Sequence, residues 1–314
     1  MSYVSRLHKA FEGAVRLPVN TCTKYVIFSD CHRGTGNAND NFLKNQTLYV
    51  AALQHYLRTG FTYIELGDGD ELWENRSMEQ IIEAHTPVFE LLSHFYRQKR
   101  LYLLYGNHDM VKKNSRFLTK CYSKYPCNCG NHTQLANKQL LSGIQVHEGM
   151  ILEACSTPGI KQTQIAKPTQ LSKQPQVTQI FLTHGHQASL LNSTLWPLSR
   201  FLVKFVWKPL ERLGFSDPTS AAKNYSSKEK TEKRLHRFAE KEGIMLIAGH
   251  THRPLLSETD LFYCNSGSSV HPYSITCLEI EDTHISLVKW ALATGPDMRV
   301  YVSREVLSGP ISFT

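Results

Sequence analysis

Five short segments, each just after an apolar run, carry residues able to hold metal ions or move protons. They are Asp30-Cys31-His32, Gly67-Asp68, Gly106-Asn107-His108-Asp109, His184-Gly185-His186 and Gly249-His250-Thr251-His252. Carboxylates and imidazoles joined by one amide oxygen suit borderline divalent ions such as Mn²⁺, Fe²⁺ or Zn²⁺. A donor set not built on thiolates speaks against a closed structural zinc site. Two such ions about 3.5–4 Å apart can activate a water, grip phosphate oxygens and offset the charge of an in-line displacement, and a carboxylate must then bridge them. Each segment alone is weak, because a single histidine after a strand is more often a hydrogen-bonded loop residue than a ligand. Five in succession, several with glycine permitting close backbone approach, form a joint pattern.

The elements that must position these groups are legible as apolar runs. Residues 25–28, 61–66, 101–105, 180–182 and 244–248 read as buried strands, and residues 42–58 and 78–97 as helices between the first three. That order predicts a βαβαβ unit with a parallel core, whose strands deliver ligands at their carboxyl ends. Residues 143–153 and 261–279 read as short strands of a second sheet. Residues 161–179, rich in Gln, Thr, Lys and Pro, read as an exposed connection, and residues 1–17 as a short amphipathic helix through Val4, Leu7, Phe11 and Val15.

A chain of 314 residues can bury a substantial core, and its formal charge of +8 favours anionic partners without choosing among them. No run of about twenty apolar residues is present to span a bilayer and no secretory leader is evident, so the reading is cytoplasmic. Eight scattered cysteines read as reduced thiols. Cys121, Cys127, Cys129 and His132 could be drawn as a zinc site, but Cys-x-Cys lacks the usual knuckle spacing, and a surface loop is the preferred reading.

The order Ser29-Asp30-Cys31-His32, Gly67-Asp68-Gly69-Asp70, Gly106-Asn107-His108-Asp109, Thr183-His184-Gly185-His186 and Gly249-His250-Thr251-His252 resembles that of calcineurin-like metallophosphoesterases across residues 24–254. The resemblance implies an α/β (α+β) fold, a four-layer αββα sandwich of two mixed sheets. It implies that Asp30, His32 and His252 hold one metal, that Asn107, His184 and His250 hold a second, and that Asp68 bridges them. His108 would act on the phosphate or leaving oxygen with Asp109 orienting it, and Arg33 is a candidate phosphate contact. The implied activity is hydrolysis of a phosphodiester or pyrophosphate by metal-activated hydroxide, with Mn²⁺, Fe²⁺ or Zn²⁺ as cofactors.

The chain is expected to be one domain over residues 1–314 with a helical basic lid at about 187–241. That stretch looks like the lid of UDP-2,3-diacylglucosamine pyrophosphatases, which carry Asp where this chain has His186. By that likeness Lys223 and Asn224 are candidate substrate contacts. Residues 200–241 hold eleven Lys/Arg against five Asp/Glu, and residues 190–213 alternate Arg200, Lys204, Lys208 and Arg212 with apolar residues. Such a stretch can lie on an anionic membrane, cap an amphiphilic substrate, or pack on the domain. The expected substrate is a small or lipid-linked phosphorylated molecule. Action on nucleic acid or phosphoprotein, and a catalytically silent membrane-associated scaffold, stay open as alternatives.

Overall fold

The structure is a computed structural model that describes residues 1–75, 77–122, 140–154, 179–203 and 225–313. Helix α1 (Tyr3–Glu12) starts on Ser2, whose side chain accepts from the Ser5 N–H, and stops at Gly13. The amphipathic reading of residues 1–17 holds only that far. Val15–Val19 is a strand, β1, whose alternating exposure fits a period of two, and it pairs in parallel with β6 (Gly149–Ala154). There follow β2 (Lys24–Phe28), α2 (Gln46–Arg58), β3 (Thr62–Leu66), α3 (Met78–Ala84), α4 (Thr86–Arg97) and β4 (Leu101–Leu104). Strands β2, β3 and β4 pair in parallel, as the βαβαβ pattern predicts. The break at His85 and proline in the first turn of α4 separate two helices where one was read, and Ser77 caps the start of α3.

After α5 (Ser115–Tyr122) come β5 (Val146–His147), β6, β7 (Gln179–Thr183), α6 (Leu190–Ser193), α7 (Trp196–Leu202) and α8 (Tyr225–Glu242). Strands β8 (Met245–Ala248), β9 (Tyr263–Asn265), β10 (Ser274–Glu281), β11 (His284–Thr294) and β12 (Val300–Ser312) complete the described residues. Two sheets result, one of order β1-β6-β7-β8-β9 and one of order β12-β11-β10-β2-β3-β4-β5, each mixing parallel and antiparallel pairs. The expected second sheet is therefore corrected in its membership: β6 and β9 belong to it, but β5 pairs with β4, and β10 with β2, in the other. Strand β10 is apolar on both sides, with Ile275 and Cys277 facing one core and Leu278 and Ile280 the other, which suits a central position.

Alternation along the strands builds four layers. Ile27, Ile64, Leu66 and Leu104 of the larger sheet meet Met150, Leu152, Ile180, Leu182 and Ile247 of the smaller, and this is the seam between sheets. The other face of the larger sheet, with Val26, Phe28 and Tyr63, is covered by α2 and α4 through Tyr49, Leu53, Phe89 and Phe95. Leu7 and Ala10 of α1 with Leu235, Phe238 and Ala239 of α8 cover Ile151, Phe181 and Leu246 of the smaller sheet. This is an αββα sandwich. Helix α8, inside the stretch read as a lid, is thus an outer-layer helix. Lys223, Asn224, Cys127, Cys129 and His132 lie outside the described residues, as do residues 161–178 of the expected connection, and Cys121 is buried in the core around α4.

A buried ionic cluster ties together the loops after β2, β3 and β4. The Arg33 guanidinium donates two bonds to Glu65 (2.7 and 2.9 Å) and one to Asp70 (2.7 Å), while the Lys112 ammonium meets Asp70 (2.6 Å) and Asp109 (2.7 Å). No side chain of the five is more than 1% exposed, and Asp109 also accepts from the backbone N–H groups of Gly69 and Gly106. Removing one member strands the others' charges. Lys112→Met should therefore cost about 3–5 kcal/mol of stability, measured as a lower midpoint in urea unfolding monitored by far-UV circular dichroism.

Candidate metal centre

All seven residues implied as ligands sit at or just past strand ends, and the chain bends sharply to aim them. Asp30 and His32 follow β2, Asp68 follows β3, Asn107 follows β4, His184 follows β7, and His250 and His252 follow β8. Five of the seven, Asp30, His32, Asp68, His250 and His252, have φ between +48° and +66°, a region that non-glycine residues enter only when their surroundings hold them there. Gly67, at φ +89°, allows the approach: a Cβ there would lie 2.7 Å from the Gly106 nitrogen and 2.8 Å from the His184 ring.

Two donor groups form at the seam, joined by a third that shares a member with each. Asp30, His32 and His252 present ligand atoms within 4.8 Å of one another, so do Asp68, His184 and His250, and so do His32, Asp68 and His108. The Nε2 atoms of His32 and His252 are 3.3 Å apart, and His252 Nε2 is 3.0 Å from Asp30 Oδ1. His184 Nε2 is 3.1 Å from Asp68 Oδ2, and His32 Nε2 is 3.8 Å from that same oxygen, which places Asp68 between the groups. The outward atoms are already used: Asp30 Oδ2 accepts from the His250 N–H, Asp68 Oδ1 from the His108 N–H, and His184 Nδ1 donates to the Leu66 carbonyl.

What remains inside is unsatisfied. Asp30 Oδ1, Asn107 Oδ1 and His184 Nε2 are buried without a hydrogen-bond partner despite such close neighbours. Buried polar atoms left unpartnered beside other donors fit bound cations. The electrostatics agree. Burial pushes the Asp68 carboxyl up, but His184 and His108 outweigh it and hold the group well below the usual carboxylate range. Burial and the neighbouring His184 push His250 down to about 3, leaving a neutral imidazole, the form that offers a lone pair. His184 is raised to about 9: burial works against its charge, but Asp68 and Asp30 overcome it, so an incoming cation must displace a proton there.

His108 lies beside this centre, its ring stacked on Trp73 (4.2 Å between centroids), but Asp109 does not orient it. The expectation is corrected: Asp109 points into the Lys112 cluster, whereas His108 Nδ1 meets Glu71 at 2.8–2.9 Å. Glu71 also holds His32 Nδ1 at 2.9 Å, so one carboxylate steadies a candidate ligand histidine and His108 together. Arg33 is likewise corrected. Its guanidinium is fully buried against Glu65 and Asp70 and has no face toward a substrate. Arg200 of α7 is half-buried and close enough for the Glu71 charge to act on it. His186 is buried beside His184, its ring 5.5 Å away, outside both donor groups.

Glu71, Trp73 and Asn192, whose carboxamide lies 3.2 Å from His250 Nε2, escaped the sequence reading. For Glu71 the signal was available, a carboxylate three residues after the bridging position. For Asn192 there was none.

A family model of calcineurin-like phosphoesterases matches residues 23–254, and the chain belongs to that family. No curated protein matches significantly. Among solved structures, Vps29 of Chaetomium thermophilum aligns over 92% of this chain and 97% of its own, at 10% identity and a TM-score of 0.37. The family and the donor groups together define a metal-dependent phosphoesterase.

Metal should stabilise the folded chain in proportion to its binding. Protein stripped by chelator should unfold at a lower urea concentration than protein with Mn²⁺ or Zn²⁺, by about 2.7 kcal/mol for a site at a hundredfold its Kd. Asp68→Asn, which removes charge from the position between the two groups, should lose most of that gain in the same titration.

Proposed function

We propose that this chain is a dinuclear-metal hydrolase of phosphodiester or pyrophosphate bonds, acting on a small or lipid-linked anionic substrate such as a nucleotide-sugar. The observation that carries the reading is the pair of donor groups meeting at Asp68, with His108 held beside them. Asp30, His32 and His252 would hold one divalent ion and Asn107, His184 and His250 the other, with Asp68 shared. Bound ions of the Mn²⁺, Fe²⁺ or Zn²⁺ type supply Lewis acidity toward phosphate oxygens and lower the pKa of water.

The protein's own groups do the rest. Glu71 accepts from His108 Nδ1 and Trp73 fixes the ring plane, so Nε2 can donate to a phosphate or leaving oxygen. Arg200 supplies a cation on the lid side in the place earlier assigned to Arg33. The outer surface of α6 and α7 exposes Leu190, Leu191, Leu195, Leu198 and Phe201, and this together with the local cationic excess supports an amphiphilic substrate and peripheral contact with an anionic membrane. No helix among the described residues is long and apolar enough to cross a membrane.

Bis-p-nitrophenyl phosphate should be cleaved faster than p-nitrophenyl phosphate when Mn²⁺ is added. Chelator or Asp68→Asn should abolish that activity, and Arg200→Ala should raise KM about tenfold, the scale of one charge-assisted hydrogen bond. Failure of the wild type on both esters with two metals bound would overturn the hydrolase reading for simple diesters.

The role of His108 makes a separate prediction. His108→Ala and Glu71→Gln should slow esters with alkyl leaving groups by about 10²–10⁴ while slowing p-nitrophenyl esters far less, because nitrophenolate departs without a proton. Equal loss on both ester types would show that these residues only support the fold.

A further inference from the structure

Helix α6 is turned inside out for a helix packed on a protein. Leu190 and Leu191 are 50% and 46% exposed, while Asn192 between them and the site is 7% exposed. Its carboxamide lies 3.2 Å from His250 Nε2. The segment that delivers it is fastened at several points. Ser189 accepts from the Asn192 N–H and Ser199 of α7 donates to the Leu191 carbonyl. From the outer layer, Arg234 of α8 donates to the Ala188 carbonyl (2.6 Å) and Arg6 of α1 to the Gln187 carbonyl (2.8 Å).

A neutral imidazole has one N–H and one lone pair, and a carboxamide can meet either. If Asn192 donated through Nδ2, His250 Nε2 would spend its lone pair on the amide and Nδ1 would carry the proton. Neither nitrogen could then bind a metal. Rotating the carboxamide by 180° exchanges its oxygen and nitrogen without changing its shape. The oxygen then accepts the Nε2 proton and the Nδ1 lone pair is free. Ligand histidines are ordinarily held in this way through their other nitrogen.

We infer that Asn192 is a positioning residue that accepts the Nε2–H of His250, fixes its tautomer and ring plane, and thereby couples the α6–α7 segment to one metal position. The inference rests on the reading of His250 as a metal ligand. It also makes α6 part of the metal centre's support and not only a cover above it.

The test is metal titration of the full chain by isothermal calorimetry with Mn²⁺, with metal content measured after dialysis, on wild type, Asn192→Leu and Asn192→Asp. Leucine keeps the bulk and lacks an acceptor, whereas aspartate keeps an acceptor. The expected result is two ions in wild type and in Asn192→Asp, and in Asn192→Leu one site weakened about 10–100-fold with the other unchanged. In metal-free protein, imidazole ¹⁵N shifts should show His250 protonated at Nε2 in wild type and Asn192→Asp, and a tautomer mixture in Asn192→Leu. Two ions bound with wild-type affinity by Asn192→Leu would overturn the inference, as would equal loss in both variants. A wild-type chain that binds no metal at all would instead overturn the proposed function beneath it.

Discussion

The Asp68 carboxylate is the point on which the rest of the molecule is arranged. It lies almost fully buried at the seam of two sheets, 3.1 Å from His184 and 3.8 Å from His32, and accepts the His108 N–H. An ionised carboxylate in such a place costs several kcal/mol unless charge and hydrogen bonds surround it. Imidazoles from β2, β7 and β8 provide part of that surround, which is why strands of both sheets must end at one height. The same demand explains the backbone. Left-handed φ at five candidate ligand positions costs about 1–3 kcal/mol each, and it persists because neighbouring loops lock it. Gly106 shows how close they come, since a Cβ there would fall 2.1 Å from Asp68 Oδ1.

Beneath the candidate metal centre lies a second charged layer with a different job. Arg33, Glu65, Asp70, Lys112 and Asp109 are buried, mutually paired and turned away from the donor groups. They join three consecutive loops of the larger sheet. Arg33 follows His32 and Asp109 follows His108, so the chain alternates between a residue aimed at the site and one aimed at its foundation. A carboxylate that accepts from the Gly69 and Gly106 backbone holds the loops carrying Asp68 and Asn107 at fixed separation. The cluster thus sets the precision with which donors on different strands meet.

That alternation marks what the sequence could reveal. The donor residues were legible because each sits in a short loop after an apolar run, and because carboxylate, imidazole and amide in that order have few other joint uses. The four-layer fold followed from the family resemblance more than from periodicity: β10 read as part of the wrong sheet because a strand apolar on both sides gives no clue to its neighbours. Arg33 was read as a phosphate contact because it follows a candidate ligand pair, but its guanidinium turns into the buried cluster. Asp109 was assigned to orient His108 through the family resemblance, whereas Glu71 takes that place. Asn192 required tertiary structure, since its partner is 58 residues distant and no motif marks it, whereas Glu71 stood within reach of the Asp68 segment and was overlooked.

The α6–α7 segment carries the same two-sidedness outward. A helix free to minimise its own surface would bury Leu190 and Leu191 and leave Asn192 in water, because burying a leucine is worth about 1.5–3 kcal/mol and burying an amide costs unless it is bonded. The observed orientation reverses this, and the bond to His250 compensates for only the amide. Among the described residues these leucines stay exposed. The amphiphilic substrate or lipid surface proposed above would cover them. Apolar contact outside and ligand positioning inside would then be made by opposite faces of the same short helix, so whatever seats the leucines also steadies His250.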